Sequence, residues 1–405
     1  MSAARRAESQ LAIFSALLRW ILPAARHEPS FPAQLQLRLT RDRRFGSRDR
    51  RVYRALTYSA VRHLAWLETL PAEVRARLAL WLAPDEPVLA ALRAETLADW
   101  PPVPASLAEK AAVLAARFGG GCTPTTLLPD WFAAEAPAGL DPESLFSRPP
   151  LWLRLQTPDT EGVFAGLRAA GLACTVSPVR SDAIALLTEI DVTATSVFRA
   201  GAFEVQDLGS QLVLALAQPA RGTRWLDACA GAGGKTLQLA RLVGPAGQVD
   251  ATDLRAAALA ELGARAARAG LTNVSVISAP PTTVAYDGVL IDAPCSGSGT
   301  WRRHPHLKWQ TTVAELRRQA ERQLALLAAH AGRVRPGGSL VYATCSLART
   351  ENEGVVERFL AAHPNFRVVP PVDPLGCMVG PFGTAILPHV HNTDGFFVSV
   401  LTRRD

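Results

Sequence analysis

Two cysteines stand in similar short motifs in the second half of the chain. Asp292-Ala293-Pro294-Cys295-Ser296 follows one apolar stretch, and Thr344-Cys345-Ser346 follows another. A cysteine thiolate can add to carbon 6 of a cytosine ring, which makes carbon 5 nucleophilic enough to accept a methyl group. A base must then remove the proton from carbon 5 before the thiol leaves, and a second cysteine is a candidate. An isolated cysteine is more often a small buried hydrophobic residue, but two such motifs favour chemistry.

Asp292 and Lys235 are two further candidates for the chemical site. Asp292 can hydrogen-bond the exocyclic amine of cytosine and, when protonated, ring nitrogen 3, which relieves the charge that develops on addition. Among 43 lysines and arginines, only Lys110, Lys235 and Lys308 are lysines. Because guanidinium does not replace a compact ammonium donor, Lys235 and Lys308 are predicted to contact ligands, with chance placement of Lys308 on a solvated face as the alternative. The predicted catalytic residues are Cys345, Cys295, Asp292 and Lys235.

A glycine-rich turn joins a predicted strand to a predicted helix between Leu226 and Thr236. Glycines let a ligand approach the backbone there, and amide N–H groups at the start of the helix face that ligand. Asp253, twenty residues after Gly233, ends the next predicted strand, where a carboxylate can hold ribose hydroxyls. These features predict an adenosine-type ligand. The predicted cofactor-binding residues are Cys229, Ala230, Gly231, Ala232, Gly233, Gly234, Lys235, Asp253 and Asp292.

Two other glycine-rich nucleotide motifs do not fit this spacing. A dinucleotide fingerprint beginning at Gly231 needs a further glycine where the chain has Thr236. A Walker phosphate loop ending at the same threonine needs a glycine where the chain has Cys229. Both motifs fail by one position, and a purely structural role for the turn is the alternative that stays open.

Predicted strands and helices alternate from Arg221 onward, which is typical of a parallel sheet with helices on its faces. Ligands of such sheets lie beyond the carboxyl ends of the strands. The glycine turn, Asp292, Cys295 and Cys345 all follow predicted strands, so we expect them to converge on one crevice of a Rossmann-like α/β domain. The predicted strands are Trp225–Ala228, Gln248–Thr252, Val274–Ile277, Gly288–Ile291 and Ser339–Ala343.

The chain upstream of this sheet divides into two parts. Apolar residues recur at helical spacing near the N-terminus, as at Leu11, Phe14, Leu18 and Ile21, and predict a helical domain that ends in a segment rich in proline and glycine. Short strands then flank a helix around Thr160–Ala170 and predict a small α+β connector. The predicted domains are the helical domain 1–145, the connector 146–205 and the catalytic domain 206–405.

The N-terminal segment carries the basic surplus of the chain. Met1 to Arg62 contain thirteen arginines, no lysine and four acids, a net charge of +9, compared with +7 for the whole chain. Guanidinium groups fork onto paired phosphate oxygens, so this segment predicts nucleic-acid binding, with an arginine-rich solvated face as the alternative.

Cysteine usage and hydropathy indicate the compartment. The six cysteines contain no CxxC pair and no secreted framework, which predicts reduced thiols in a cytoplasmic protein. The apolar stretch Leu11–Leu22 is interrupted by Arg19 and is too short to span a bilayer, so no membrane insertion is expected. No metal site is predicted, because His389 and His391 have no cysteine partner nearby.

The cysteine motifs resemble those of the Sun/Nop (RsmB-like) family of RNA 5-methylcytosine methyltransferases, whose hallmark is two cysteines in these settings. Arg302–Trp309 and Asp394–Phe397 also resemble later motifs of that family, and the resemblance runs from about Phe198 to the C-terminus. It implies that Cys345 is the nucleophile and that Cys295 is needed for product release. It further implies that Asp292 contacts base and cofactor and that S-adenosylmethionine is held by Cys229 to Lys235 and Asp253. The predicted RNA-binding residues are Arg302, Arg303, His304, Lys308, Arg48 and Arg51.

A weaker resemblance concerns the N-terminal part. Arg48–Tyr58 is similar to the NusB-like helical domain that precedes the catalytic region in the RsmB branch. This kinship implies ribosomal RNA as substrate, with transfer RNA as the alternative, and a cytoplasmic monomer is expected. Two positions depart from the family pattern: Ala232 replaces the usual proline of the cofactor turn, and Ser278–Pro281 lacks the acid that often contacts adenine.

Several functions other than RNA cytosine methylation are possible for some of these motifs. A zinc deaminase requires Pro-Cys-x-x-Cys, but Ser298 stands three positions after Cys295. Amine methyltransferases typically carry Pro-Pro followed by tyrosine or phenylalanine in place of Pro294-Cys295. If the chain were similar to DNA cytosine methyltransferases in its mechanism, Cys295 would be the attacking residue. Glu351-Asn352 could be compared with one motif of those enzymes, but it is predicted to start a helix. A non-catalytic RNA-binding scaffold is the alternative of another class, and binding of S-adenosylmethionine distinguishes it.

Overall fold

The computed structural model describes residues 2–187, 191–281 and 285–404. They form two compact units: residues 1–134, 145–147 and 301–312 in the first, and residues 135–144, 148–300 and 313–405 in the second. The first unit therefore includes a segment from far along the chain. The predicted three-domain division stays a prediction. The second unit contains the predicted connector and catalytic domain except for residues 146–147 and 301–312.

The first unit is helical. The residues that we predicted to share one face of its first helix, Leu11, Phe14, Leu18 and Ile21, are all 0–4% exposed and pack into its core, so this helical pattern is confirmed. Resemblance to a NusB-like domain stays a prediction. Among the described residues, no helix combines the length and the apolar character needed to cross a bilayer. The helices are α1 (Ala3–His27), α2 (Phe31–Arg41), α3 (Ser47–Arg62), α4 (Leu64–Thr69), α5 (Arg75–Leu82), α6 (Pro87–Thr96), α7 (Leu107–Phe118) and α8 (Phe132–Glu135).

The second unit begins with a small antiparallel sheet. Its elements are β1 (Leu151–Leu155), α9 (Thr160–Ala169), β2 (Cys174–Val176), β3 (Ala183–Leu186), α10 (Ser196–Arg199) and β4 (Phe203–Val205). The strand order is β2-β3-β1-β4, and Leu153 and Leu155 of β1 pack against Val163 and Leu167 of α9. The helix and the strands predicted for this region are present.

A nine-stranded sheet forms the rest of the second unit, with strand order β11-β12-β13-β9-β8-β5-β6-β7 and β10 paired to β13. Strands β5 to β9 pair in parallel, whereas β13 runs antiparallel to β9. The elements are α11 (Leu208–Ala217), β5 (Arg224–Asp227), α12 (Gly234–Val243), β6 (Gln248–Ala251), α13 (Ala256–Arg268), β7 (Val274–Val276), β8 (Tyr286–Asp292), α15 (Val313–Ala331), β9 (Val334–Thr344), α16 (Glu353–Ala362), β10 (Phe366–Val368), β11 (Met378–Gly380), β12 (Gly383–Ile386), α17 (Pro388–His391) and β13 (Phe396–Arg403). Helix α14 (Pro305–Gln310) lies between β8 and α15 in the sequence but belongs to the first unit. The predicted Rossmann-like α/β fold is confirmed.

Burial on both faces explains the apolar character of the strands. Successive residues of β5 point to opposite sides, so Trp225 packs with Leu239 of α12 while Leu226 packs with Leu327 of α15. All five predicted strands are present. Strand β9 begins earlier than the predicted Ser339–Ala343, because Val334 already pairs with β8.

The strand order places several functional segments at one edge. Strands β5 and β8 are neighbours, and the chain runs from β5 to β6 on one side and from β8 to β9 on the other, so their connections leave in opposite directions. A crevice opens at such a switch point in parallel sheets. The glycine turn follows β5, Asp253 follows β6, Asp292 ends β8 and Cys345 follows β9.

The segment Trp301–Thr312, which contains α14, completes the first unit. Its Trp309 Nε1 donates to Val61 O at 2.7 Å, and its Gln310 Nε2 donates to Ala25 O at 2.9 Å. The helical unit is therefore built from two stretches of chain that are far apart in the sequence.

Candidate active site

The carboxyl ends of β8 and β9 bring the two motif cysteines together. Cys295 lies just beyond β8 and Cys345 directly follows β9, and their Sγ atoms are 3.4 Å apart. The backbone also joins the two loops, since Gly299 N donates to Cys345 O at 2.9 Å. Both thiols are half-buried, so they form an accessible pair.

The surroundings of Cys295 favour its protonated form. Its pKa is raised well above the ordinary value for cysteine, because its thiol faces the sulfur of Cys345, because it is buried, and because the Glu351 carboxylate lies nearby. A thiol in this state can donate its proton to the neighbouring sulfur. At a separation of 3.4 Å either thiol can donate a hydrogen bond to the other sulfur.

Lys235 and Asp292 form an ion pair at the same edge of the sheet. The Lys235 Nζ lies 2.8 Å from Asp292 Oδ2, and the two side chains are 7% and 33% exposed. The Nζ also lies 5.1 Å from the centroid of the Phe396 ring. This pair links α12 to the end of β8 and orients the Asp292 carboxyl group, which keeps a partly open face.

Hydrogen bonds fix the backbone of the glycine turn. Gly231 N donates to Asp253 Oδ2 at 2.8 Å, and Gly233 N donates to Ala230 O at 2.9 Å. Gly231 and Gly233 have φ angles of +53° and +92°, a region that residues with a Cβ rarely adopt. A Cβ at Gly233 would also lie 2.8 Å from atoms of Leu237 and Leu262. The turn therefore depends on these glycines for its own conformation.

Two acids and a cysteine line the base of the turn. Asp227 is 1% exposed, and burial raises its pKa to about 7 against the opposing effect of a 2.7 Å hydrogen bond from Thr236 Oγ1. Burial, followed by the charges of Asp227 and Asp292, raises the pKa of Cys229 to about 12. Cys229 consequently stays a neutral thiol near pH 7, which suits a lining residue rather than a nucleophile.

The features around Asp253 and Gly234 fit an adenosine-type group. Burial acts to raise the pKa of Asp253, but hydrogen bonds from Arg255 and from Gly231 N lower it overall. The Asp253 oxygens already accept from Gly231 N, from Arg255 N and from the Arg255 guanidinium, so a ribose hydroxyl would take the place of one of the Arg255 contacts. A Cβ at Gly234 would have no described atom within 4 Å, and α12 starts there without a side-chain cap, so the N-terminus of the helix faces open space.

The structure places two predicted RNA-binding residues inside the first unit. Arg302 and Lys308 are each 2% exposed. Arg302 Nε donates to Ser147 O at 2.9 Å, while Lys308 Nζ donates to Arg62 O at 2.9 Å and lies 4.4 Å from the centroid of the Phe146 ring. Burial lowers the pKa of Lys308 well below the ordinary value for lysine. These surroundings favour a structural role over the contact with RNA that we predicted from the rarity of lysine.

The other predicted RNA-binding residues are more accessible. Arg48 and Arg51 lie on α3 and are exposed, as is His304, whereas Arg303 is partly exposed. Their contact with RNA stays a prediction. The motif Arg302–Trp309 thus contains buried residues, such as Arg302 and Lys308, and more accessible ones, Arg303 and His304.

Sequence reasoning missed Glu351, which we expected only to start a helix. It ends a short 3-10 turn, Arg349–Glu351, before α16 begins at Glu353, and its side chain is completely buried. Its carboxylate accepts hydrogen bonds from both cysteine loops. The only signal in the sequence was an acid six positions after Cys345 in a segment that already showed chemical motifs.

Comparison with known proteins finds relatives of the C-terminal half of the chain. Residues 213–402 match the family described as 16S rRNA methyltransferase RsmB/F. A protein of Synechocystis sp. named probable ribosomal RNA small subunit methyltransferase B is 37% identical over 224 residues, which cover 52% of this chain and 50% of that protein. Residues 213–402 are therefore similar to the RsmB/F family. The chain spans about half of the length of this relative.

Solved structures share the fold of this chain. The crystal structure of PH0851 matches 100% of this chain and 99% of its own, with a TM-score of 0.72 and 22% identity. A methyltransferase homolog protein from Pyrococcus horikoshii matches 65% of this chain and 89% of its own, with a TM-score of 0.56 and 26% identity. The Rossmann-like methyltransferase architecture is therefore shared by proteins of low sequence identity.

Gly233→Ala tests the conformation of the glycine turn. We expect the free energy of unfolding to fall by about 2 kcal/mol, because alanine is strained at a positive φ and its Cβ crowds two leucine side chains. Gly234→Ala is the matched control and is expected to leave stability within about 0.5 kcal/mol, because its Cβ meets open space. Urea unfolding measures both, and equal losses would contradict this assignment of the turn.

Lys308→Ala tests the structural role of the buried lysine. We expect the free energy of unfolding to fall by about 3 kcal/mol, because the variant leaves a cavity beside Phe146 and removes the hydrogen bond to Arg62 O. Lys308→Met refills most of the cavity and is expected to recover most of the loss. Urea unfolding monitored by circular dichroism measures stability. A Lys308→Met protein of normal stability that no longer binds RNA would instead favour an RNA contact.

Proposed function

We propose that this protein methylates carbon 5 of cytosine in RNA with S-adenosylmethionine as methyl donor. The proposal rests chiefly on one observation, the 3.4 Å approach of the Cys295 and Cys345 sulfurs at the carboxyl ends of adjacent strands. The match of residues 213–402 to the RsmB/F family supports it, because that family is described as 16S rRNA methyltransferase. We further propose ribosomal RNA as substrate, with transfer RNA as the alternative, and a monomer that acts in the cytoplasm.

The glycine turn and its acids would hold the cofactor. Residues 229–235 would surround it, Asp253 would accept hydrogen bonds from ribose hydroxyls, and the acidic side chains of Asp227 and Asp292 suit a cationic sulfonium. When bound, S-adenosylmethionine supplies an electrophilic methyl group. The open space in front of Gly234 supports this assignment, since a Cβ there would intrude on a ligand at the turn.

Cys345 is the proposed nucleophile. Its sulfur forms a bond to carbon 6 of the cytosine, the thiol proton is released, and the ring electrons move towards carbon 5 and ring nitrogen 3. Asp292 hydrogen-bonds the exocyclic amine and ring nitrogen 3, which stabilises the charge that develops. Lys235 holds Asp292 in this orientation through their 2.8 Å contact.

Cys295 is the proposed partner for the second half of the reaction. After carbon 5 has been methylated, its proton passes to a water molecule and the electron pair of the C–H bond forms the double bond between carbons 5 and 6. The bond between Cys345 Sγ and carbon 6 breaks at the same time, and its electron pair returns to the sulfur. The Cys295 thiol lies 3.4 Å from this sulfur and can donate a hydrogen bond to the departing thiolate. Cys295 thus assists elimination, and with it the loss of the carbon 5 proton, and the protein recovers its starting state.

Substitution of each cysteine separates these roles. Cys345→Ala is expected to form no covalent complex with RNA and to lose about 10³-fold or more in methylation rate, because no atom adds to carbon 6. Cys295→Ala is expected to accumulate a covalent complex, because addition proceeds while elimination stalls. A denaturing gel with labelled 16S rRNA shows the complex as a band of reduced mobility.

Cys174→Ala is the control for this experiment, because Cys174 lies in β2 of the small sheet. It should behave like the unaltered protein. The reverse pattern, with the complex trapped by Cys345→Ala, would assign the attack to Cys295. Normal turnover by both single variants would refute cysteine catalysis altogether.

The RNA target can be identified by mapping 5-methylcytosine in total RNA with and without this protein. We expect one or a few positions of small-subunit ribosomal RNA to lose the modification when the protein is absent. Bisulfite sequencing measures this directly. Loss confined to transfer RNA would overturn the choice of substrate but not the chemistry, and an unchanged pattern in all RNA would overturn both.

A further inference from the structure

Glu351 is a buried acid that touches both cysteine loops. It lies six residues after Cys345 and is 0% exposed. Burial of a carboxylate is costly unless hydrogen bonds and nearby charges compensate for the lost water. Glu351 therefore needs hydrogen-bond partners to be stable in this position.

Its two oxygens bind the serines that directly follow the two cysteines. Oε1 accepts from Ser296 N at 2.8 Å, and Oε2 accepts from Ser296 Oγ at 2.5 Å and from Ser346 Oγ at 2.6 Å. One carboxylate thus joins the loop after β8 to the loop after β9. Because each serine is bonded to the cysteine before it, these contacts limit how far the two sulfurs can move apart.

A second set of buried groups fixes Glu351 itself. Gln323 Nε2 of α15 donates to Glu351 Oε1 at 3.1 Å and to Pro294 O at 2.9 Å. Tyr342 OH of β9 donates to Glu351 O at 2.5 Å and also lies 3.1 Å from Gln323 Oε1. The carboxylate is therefore held from the strand, the helix and both loops, and it has little freedom to follow a moving cysteine.

The charge of Glu351 has an electrostatic effect on the same pair. Burial raises the pKa of Glu351, while hydrogen bonds from the two serines and Gln323 act in the opposite direction. The carboxylate in turn contributes to the raised pKa of Cys295. Geometry and charge act together here, since both keep Cys295 as a thiol directed at Cys345.

We propose that Glu351 is a positioning residue that holds the Cys295 and Cys345 loops at one fixed separation, so that both sulfurs serve the same substrate ring. It touches neither the reacting sulfurs nor the base and acts through Ser296 and Ser346. The catalytic meaning of this role rests on the proposed function, but the positioning itself is a property of the folded chain.

Thiol cross-linking tests the positioning without RNA or cofactor. Diamide oxidises two neighbouring thiols to a disulfide, takes up their two protons and is itself reduced to the hydrazine. The rate at which the peptide linking Cys295 to Cys345 appears, measured by mass spectrometry after digestion, reports how often the two sulfurs meet. Glu351→Ala is expected to slow this rate about tenfold, because the loops lose their shared anchor.

Glu351→Gln is the conservative variant. Its amide oxygen can still accept from Ser296 N and Gln323, and its Nε2 can donate to the two serine hydroxyls, which rotate to accept. We therefore expect cross-linking within about threefold of the unaltered rate. Glu357→Ala, an exposed position on α16, is the matched control and should leave the rate unchanged. Should Glu351→Ala fail to fold, the double variant Ser296→Ala with Ser346→Ala removes the same links and carries the same expectation.

Methylation of 16S rRNA supplies the second readout. Glu351→Ala is expected to lower kcat about 100-fold while KM for RNA and for S-adenosylmethionine stays within about threefold, and Glu351→Gln should recover most of the loss. A folded Glu351→Ala protein that cross-links as fast as the unaltered chain would overturn the positioning role, and so would an equal loss in Glu357→Ala. If cross-linking behaves as expected but the unaltered protein methylates no cytosine, the positioning role stands and the proposed function fails.

Discussion

Parallel pairing of β8 with β9 is the constraint on which the candidate site depends. In this register Asp292 lies opposite Ala343, so the chain leaves both strands at the same level of the sheet. Side chains alternate between faces along a strand, and a slip of one residue would turn Asp292 to the other face and separate the two loops. The backbone pairing just before Cys295 and Cys345 thus sets the level at which the two loops begin, and the contacts of the loops act on that starting point.

The small antiparallel sheet has a part in holding the cofactor turn. Arg265 of α13 donates to Ala232 O at 2.7 Å, and its guanidinium also pairs with Glu204 of β4 at 2.9 Å. Glu204 is almost fully buried and is paired with Arg268 as well. The turn in which alanine replaces the usual proline is therefore braced through its carbonyl oxygen by a charged group, which limits its freedom without requiring a rigid ring at that position.

Much of the fold could be predicted from the sequence, because the signals for it are local. The alternation of apolar strands with helices indicated the parallel sheet, and the residues at the strand ends indicated Asp292, Cys295 and Cys345 as neighbours. The glycine turn could also be predicted, since positions with positive φ angles favour glycine. The surroundings of Lys308 and of Glu351 could not be predicted, for the opposite reason. Both side chains contact segments that are distant in the sequence. Such contacts and the resulting burial leave no signal in the neighbouring residues, so a local sequence pattern does not reveal them.

The passage of Trp301–Thr312 through the helical unit has a consequence for the modular nature of this chain. A polypeptide cut after residue 150 would contain α1 to α8 but would lack Trp309 and Gln310, whose side chains bond to the backbone of Val61 and Ala25. The remaining fragment, from residue 151 onward, would contain Trp301–Thr312 but would lack the helices that bury this segment. If the N-terminal helices were exchanged for those of a relative, the segment Trp301–Thr312 would have to be exchanged with them. The helical unit therefore evolves together with the stretch of chain that follows the first cysteine motif.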